Sequence, residues 1–371
     1  MRVIVNALSV TNLSARHVLM GHLRQLAGWT VGTHIYTVLY HRGNADIVCE
    51  LSSNVEWLEC PPATMRWAPR LVWETAVLPS LCRRLGAGLL WLPNGITVAG
   101  LTIPQVTLAQ NPWALVPGLP MSLTERLKAV VQRASYRTAM KRADLILFNS
   151  DYMRSAYREN AGFEEKASVV AYQGLSESLF EAAANVRATR AATEILCVAV
   201  FAPHKRVEVL VSALSQVRKT HGIPATLKLV GPWPHADYLQ RVRTAIAEND
   251  VADSVEITSY VDTARLHAHY ASARLFCVLS LCESFGIPAV EAQAFGTPTV
   301  STDCCAIPEV SGEGGVYVPV DDAHAAAAAI ARMLGDEALW QQKSRAAVAN
   351  AARFHWADCS RPLLEMFRLA G

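Results

Sequence analysis

Short runs rich in β-branched and apolar residues alternate with longer helical patterns along the whole chain. That alternation confines the fold to parallel sheets assembled from βαβ units, because each parallel pairing needs a crossover long enough to hold a helix. In the first half the strand patterns are 2–8 (RVIVNAL), 31–40, 55–60, 88–93, 104–111 and 143–150, with helical patterns at 15–27, 70–85 and 122–142. A second series begins at 194–201 (EILCVAVF) and continues at 225–231, 255–261, 274–280, 297–303 and 314–319. A chain of 371 residues is long for one hydrophobic core. Two successive runs of one pattern therefore predict two α/β, Rossmann-like domains at 1–176 and 177–353, with a tail at 354–371. Residues 176–192, low in strand pattern and ending in small and polar residues, are the expected connection, and helices are expected at 322–334 and 336–353.

Charge is unevenly spread. Residues 1–180 carry 17 Lys and Arg against 12 Asp and Glu, a balance of +5, while the remainder carries 17 against 20, a balance of −3. The first half thus suits an anionic partner, but a nucleic-acid-binding domain is far more basic, and no nucleic acid is expected. The nine cysteines are odd in number, scattered among apolar residues and free of any C-x-x-C pair. They read as buried thiols of a reducing cytosol. The opening MRVIVNALSV has too short an apolar core for a signal peptide and reads as a strand, and no segment reaches the roughly 18–20 apolar residues of a membrane span. The expectation is a cytoplasmic protein that can rest on the inner face of a membrane.

The stretch ESFGIPAVEAQAFGTPTVSTD, residues 283–303, carries the chemistry. Pro288 suits the first turn of a helix and Gly296 the residue just past its end, so a helix is bracketed at 288–295. Glu291 then falls near the first turn and Glu283 on the preceding loop, with Gly286 allowing close approach of the backbone to a ligand. The helix would begin at the C-terminal end of strand 274–280, the edge where open α/β sheets bind ligands, and free N–H groups there favour phosphate. Donors for phosphate beside carboxylates for hydroxyls suit a nucleotide sugar. The same spacing also fits a helix-dipole acid at Glu291 and a solvated loop acid at Glu283.

Residues 259–322 resemble the C-terminal half of the retaining glycosyltransferases of family 4, the glycosyl transferases group 1, which have the GT-B fold. The likeness is carried by an E-x7-E pattern, Glu283 and Glu291, by Ala292, Ala294, Gly296 and Pro298, and then by Pro308, Glu309, Val310 and Gly312. Weaker likenesses are VAVFAPHKRVEVLVSAL (198–214), LVG (229–231), ILFNSDYMRSAY and VVAYQGLSESLF. The resemblance implies a GT-B protein whose two Rossmann-like domains face each other across a cleft, with the tail running back onto the first domain. By the same resemblance the catalytic residues are Glu283, against the transferred sugar, and Lys205, on the diphosphate. Donor binding falls to Glu291 at the ribose hydroxyls, to the amides around Phe285, Gly286 and Ile287, and to Gly231 at the end of the family's next strand. The backbone near Tyr260 and Val261 edges the base pocket.

The chain also departs from that family. Val200 stands where an arginine is usual and Arg206 where a glycine is, leaving Arg206 or His204 to supply a second positive charge. No glycine occurs in VTNLSARHV after the first strand, so Ser14 and Arg16 are the polar acceptor-side candidates there. Gln110 and Asn111, with Trp113, replace the histidine that many members carry after a middle strand. His267 and His269 do not face one way and lack a carboxylate cluster, and no D-x-D sequence lies on a loop, so no metal or other cofactor is expected. Cys304 and Cys305 read as small buried hydrophobes rather than a redox pair. Arg126, Arg133, Arg137 and Lys141 form one helical stripe beside Leu127, Val130, Val131 and Ala134; it suits an ordinary solvated face or, helped by an exposed Trp113, an anionic membrane surface. The expected function is retaining transfer of a hexose from a nucleotide diphosphate sugar to a sugar or lipid-linked sugar acceptor, in surface polysaccharide or glycolipid synthesis. A GT-B phosphorylase or nucleotide-sugar epimerase, and a non-catalytic partner subunit of the same fold, are the alternatives.

Overall fold

The computed structural model describes residues 1–185 and 190–370, leaving 186–189 of the expected connection outside the described residues. The chain divides into two compact units, one of residues 1–115, 121–174 and 356–371 and the other of residues 116–120 and 175–355. Each is built on one parallel sheet, and its central strands read as near-continuous apolar runs because helices cover both of their faces, while the outer strands at 55–59 and 255–258 keep exposed glutamates.

In the first unit seven strands run β1 (Arg2–Asn6), β2 (Ile35–Tyr40), β3 (Val55–Glu59), β4 (Ala87–Leu92), β5 (Gln105–Ala109), β6 (Leu145–Phe148) and β7 (Ser168–Val170), in the spatial order β3-β2-β1-β4-β5-β6-β7. The register pairs Val3 with Tyr36 and Ile4 with Leu90, and the order reverses between β1 and β4. Its helices are α1 (Leu13–Trp29), α2 (Trp67–Ala76), α3 (Leu78–Arg84), α4 (Leu123–Arg142) and α5 (Asp151–Ala161). The side chain of Asn12 caps α1 by accepting from Ala15 N, and Ser122 with Glu125 forms a capping box on α4. The helix expected at 70–85 is two helices that break at Val77, two residues before Pro79, whose ring cannot continue the preceding turn. β7 has no counterpart among the expected strands; three residues at a sheet edge leave too little pattern to read.

The second unit holds β8 (Glu194–Val198), β9 (Thr226–Val230), β10 (Val255–Thr258), β11 (Leu275–Val278), β12 (Thr299–Thr302) and β13 (Gly315–Val318), all parallel, in the order β10-β9-β8-β11-β12-β13. Its helices are α6 (Glu177–Asn185), α7 (Val207–Lys219), α8 (Ala236–Glu248), α9 (Thr263–Ser272), α10 (Ile287–Ala294), α11 (Ile307–Ser311), α12 (Ala323–Gly335) and α13 (Glu337–Ala351). α6 occupies much of the expected connection and packs on α9 and α10, because Leu179 gives it a buried face. The tail, with α14 at Trp356–Ser360, belongs to the first unit and lies on α1. A Cβ on Gly21 would come within 2.2 Å of the Trp356 indole, so that glycine is what lets the tail dock.

Candidate active site

Every strand of the second sheet is parallel, so the loops after β8, β9, β10, β11 and β12 emerge at one edge. The order reverses between β8 and β11, and ligands of open α/β sheets bind at that switch point. Lys205 ends a short 3-10 turn after β8, and Glu283 lies in the loop after β11. Lys205 Nζ is 2.5 Å from Glu283 Oε1, with the two side chains only 14% and 15% exposed. The Ser280 hydroxyl donates to the same Glu283 oxygen at 2.9 Å. The loops are also joined through their backbones, Leu281 N donating to the His204 carbonyl at 2.8 Å. The sequence thus placed both partners on the edge, but not that they pair in the resting state.

Glu291 is half-buried on α10 and its Oε2 accepts from the Tyr270 hydroxyl at 2.7 Å. Because α10 starts at Ile287, Glu291 lies beyond the first turn, and the expected helix-dipole position is corrected. Burial raises its carboxyl above the ordinary range, against the Tyr270 hydrogen bond. At the head of the helix Gly286 has φ 90°, and a Cβ there would meet nothing within 4 Å, so this position leaves open space against the backbone. Phe285 turns its ring inward, edge-on to Phe354 at 5.4 Å, so its side chain is core and only its backbone faces the edge. Ile287 is half-buried as the first residue of α10.

Arg206 explains one departure from the family pattern. Its φ of 51° is the left-handed conformation that a glycine adopts freely, and here an arginine holds it. Arg206 Nε donates to Asp321 Oδ1 at 2.5 Å and its Nη1 to Glu208 at 3.3 Å. His204 cannot supply the second charge at neutral pH: burial, and then the Lys205 ammonium, push its imidazole below the ordinary value. Val200, in the usual place of an arginine, is half-exposed on the same loop. Gly231 has a steric requirement, since a Cβ would lie 2.0 Å from the Ala199 carbonyl oxygen. Tyr260 is 76% exposed after β10 while Val261 is buried.

The acceptor-side candidates fall on the corresponding edge of the first sheet. Ser14 is exposed in the first turn of α1, and Arg16 pairs with Asp46. Asn111 Oδ1 accepts from Trp113 N at 3.3 Å, and Trp113 is half-buried against the Ala109–Tyr136 cluster, correcting its expected exposure. At the switch point of this sheet Asn6, the last residue of β1, donates its side-chain amide to Glu74 on α2 at 2.8 Å, both buried. Asn6, Glu74, Ser280, Tyr270 and Asp321 were not singled out from the sequence, since partners this scattered leave no spacing rule. Burial raises the Glu74 carboxyl. Among the described residues no group of three His, Cys, Asp or Glu side chains is placed to hold a metal ion.

A D-inositol 3-phosphate glycosyltransferase from Acidothermus cellulolyticus is 34% identical over 183 residues, 46% of this chain and 41% of that protein. A GDP-mannose-dependent alpha-(1-6)-phosphatidylinositol monomannoside mannosyltransferase from Mycolicibacterium smegmatis is 29% identical over 242 residues, 60% of each. The chain thus spans about two to three fifths of the length of these relatives. Among solved structures, sucrose-phosphate synthase from Thermosynechococcus elongatus aligns over 99% of this chain and 98% of its own with a TM-score of 0.76 at 18% identity, a likeness of fold, and that fold is GT-B. Residues 184–354, within the second unit, match the sequence model of the family described as glycosyl transferases group 1.

Proposed function

We propose that the protein is a retaining glycosyltransferase that moves a hexose from a nucleotide diphosphate sugar to an acceptor hydroxyl. The observation that supports this most is the Lys205–Glu283 pair at the switch point of the second sheet, with a second carboxyl, Glu291, on the adjoining helix. An arriving diphosphate meets the Lys205 ammonium, and Glu283 is left to accept hydrogen bonds from the sugar. Glu291 takes the ribose hydroxyls, and the amides of Gly286 and Ile287 face the phosphate and sugar oxygens. Gly231, Tyr260 and Val261 bound the base side. As the bond from the anomeric carbon to the diphosphate breaks, charge grows on the leaving oxygen, and Lys205 with Arg206 stabilises it in a partly dehydrated site. The leaving diphosphate takes the proton of the acceptor hydroxyl on the same face, which yields retention and asks for no further base and no divalent ion.

Acceptor recognition falls to the first unit, with Ser14, Arg16, Asn111 and Trp113 on its sheet edge, and the acceptor is a lipid-linked or surface glycan. The relative named for a phosphatidylinositol acceptor and the basic, apolar exposed face of α4 support that class. A peripheral position on an anionic leaflet follows.

A thermal-shift panel of nucleotides and nucleotide sugars on the full chain, followed by turnover with the best donor, tests the reading, because a ligand of the native state raises the melting temperature. Glu291→Ala is expected to weaken donor binding, and Lys205→Ala to lower turnover by about 10²-fold or more; wild-type kinetics in both variants overturns it. The engaged Arg206 and the valine at 200 favour one other reading, a non-catalytic subunit, for which nucleotide binds and no donor turns over.

A further inference from the structure

Beside Glu283 lies a group of three thiols that the proposed transfer does not use. Cys282 is in the loop after β11, and Cys304 and Cys305 are in the loop after β12; the Cys305 thiol reaches the carbonyl of Leu281, the residue just before Cys282. The same sulfurs join the two loops: Cys304 Sγ donates to the Ser280 carbonyl at 3.2 Å and Cys305 Sγ to the Leu281 carbonyl at 3.6 Å. Ala306 N, next in the chain, donates to the Glu283 carbonyl at 3.2 Å. Cys282 is buried, whereas Cys304 and Cys305 are half-exposed, which corrects their reading as buried hydrophobes. Cys305 is therefore the more accessible of the two thiols, and its sulfur lies 3.6 Å from the carbonyl of Leu281, next to Cys282.

We propose that Cys282 and Cys305 form a thiol–disulfide switch closed by a low-molecular-weight disulfide, RSSR. The Cys305 sulfur attacks one sulfur of RSSR, giving a mixed disulfide and releasing one RSH. The Cys282 sulfur then attacks Cys305 and displaces the second RSH as the Cys282–Cys305 bond forms. Two protein thiols are oxidised, one RSSR is reduced, and both thiol protons leave on the two RSH. A Cys304–Cys305 bond is disfavoured, since neighbouring residues must distort the peptide between them to bring their sulfurs to about 2.05 Å. Each attack is made by the thiolate, so closure quickens as pH rises and more thiolate forms. The closed bond removes the Cys305 hydrogen bond to Leu281 and ties the residue before Glu283 to the neighbouring loop. Donor binding falls as a result, and that consequence alone rests on the donor-site reading.

The test treats the full chain, with the exposed Cys49 changed by Cys49→Ser, with oxidised glutathione at pH 7 and pH 8, then alkylates free thiols and maps peptides by mass. The expected product is a Cys282–Cys305 linked pair, two hydrogens lighter than its parts, formed about tenfold faster at the higher pH and reversed by dithiothreitol. The nucleotide-induced thermal shift shrinks on oxidation and is preserved in Cys305→Ser, or in Cys282→Ser should the first variant not fold. Recovery of all three cysteines alkylated, or a Cys304–Cys305 link, overturns the proposal. A reduced chain that shows no nucleotide shift counts against the donor site and leaves the thiol result to stand or fall on the peptide map.

Discussion

Glu291 carries a stability cost that pH can reveal. Its carboxyl is half-buried and bonded to one hydroxyl, so the folded chain holds the Glu291 proton more tightly than the unfolded chain, whose ordinary value is 4.5. With the folded value raised, its favourable contribution is complete below the unfolded value and is lost as pH rises through the folded one. Glu291→Gln keeps an acceptor for Tyr270 and cannot ionise. The variant is expected to melt higher than the parent at pH 8, with the gap closing as pH is lowered into the ordinary carboxylate range, while donor binding weakens. Differential scanning fluorimetry across pH checks this, and a pH-independent gap contradicts it. The placement of Lys205 and Glu283 together at one sheet edge, with Glu291 on the adjoining helix, was legible because motif spacing survives in sequence. Ser280, three residues from Glu283, and Tyr270, twenty-one from Glu291, were not, because a supporting hydroxyl is chosen by tertiary geometry.

At the scale of elements, much of the pattern around Glu291 proves to be packing. Gln293 donates to the Ser311 carbonyl at 2.8 Å and accepts from Asn350 at 2.6 Å, locking α10 to α11 and α13. Gly312 leaves no room for a Cβ, which would lie 2.6 Å from Asn350 Oδ1, and Gly314 would meet the Ala347 backbone at 2.6 Å. The glycines and small residues of the motif therefore hold the helix that carries Glu291. All the strands but β7 were legible because a strand buried on both faces must be apolar; the α2–α3 break and β7 were not, since one proline and three residues carry so little periodicity. The tail is an element whose docking has a pH limit. His22 is fully buried, Nδ1 at 2.9 Å from Ser360 Oγ and edge-on to Trp356 at 5.0 Å, and burial, with the charge of His17 second, lowers it to about 3. A lowered base is neutral in the fold, so its contribution is present above 6.5 and is lost as pH falls toward 3. The loss reaches about 3 kcal/mol by pH 4. Amide exchange over the tail should therefore rise steeply between pH 6 and pH 4 after correction for intrinsic rates, and less so in His22→Asn, which keeps a partner for Ser360 without titrating. Equal acid sensitivity in both chains goes against this assignment.

For the whole molecule, the uneven charge finds a physical carrier in α4. Ala129, Tyr136, Ala139 and Met140 bury one side of this helix, leaving Leu123, 83% exposed, with Leu127, Val130 and Val131 in water beside Arg126, Arg133 and Arg137. A solvated face has no need of four large apolar side chains at helical spacing, whereas a helix lying in a bilayer interface needs both classes. α2 adds exposed Trp67, Leu71 and Val72 on the same unit, so the apolar surface is not confined to one helix. No helix among the described residues is long and apolar enough to cross a membrane. Each basic residue near an anionic surface contributes about 1 kcal/mol. The triple change Arg126→Gln, Arg133→Gln, Arg137→Gln is therefore expected to lower partitioning onto phosphatidylglycerol-containing vesicles by about 10²-fold, and salt should weaken the parent more than the variant. Leu127→Ala should reduce binding without changing that salt dependence, since it removes buried area and no charge. Sedimentation that is indifferent to anionic lipid content would return α4 to an ordinary solvated face and leave the +5 balance of the first half to be explained by the acceptor instead.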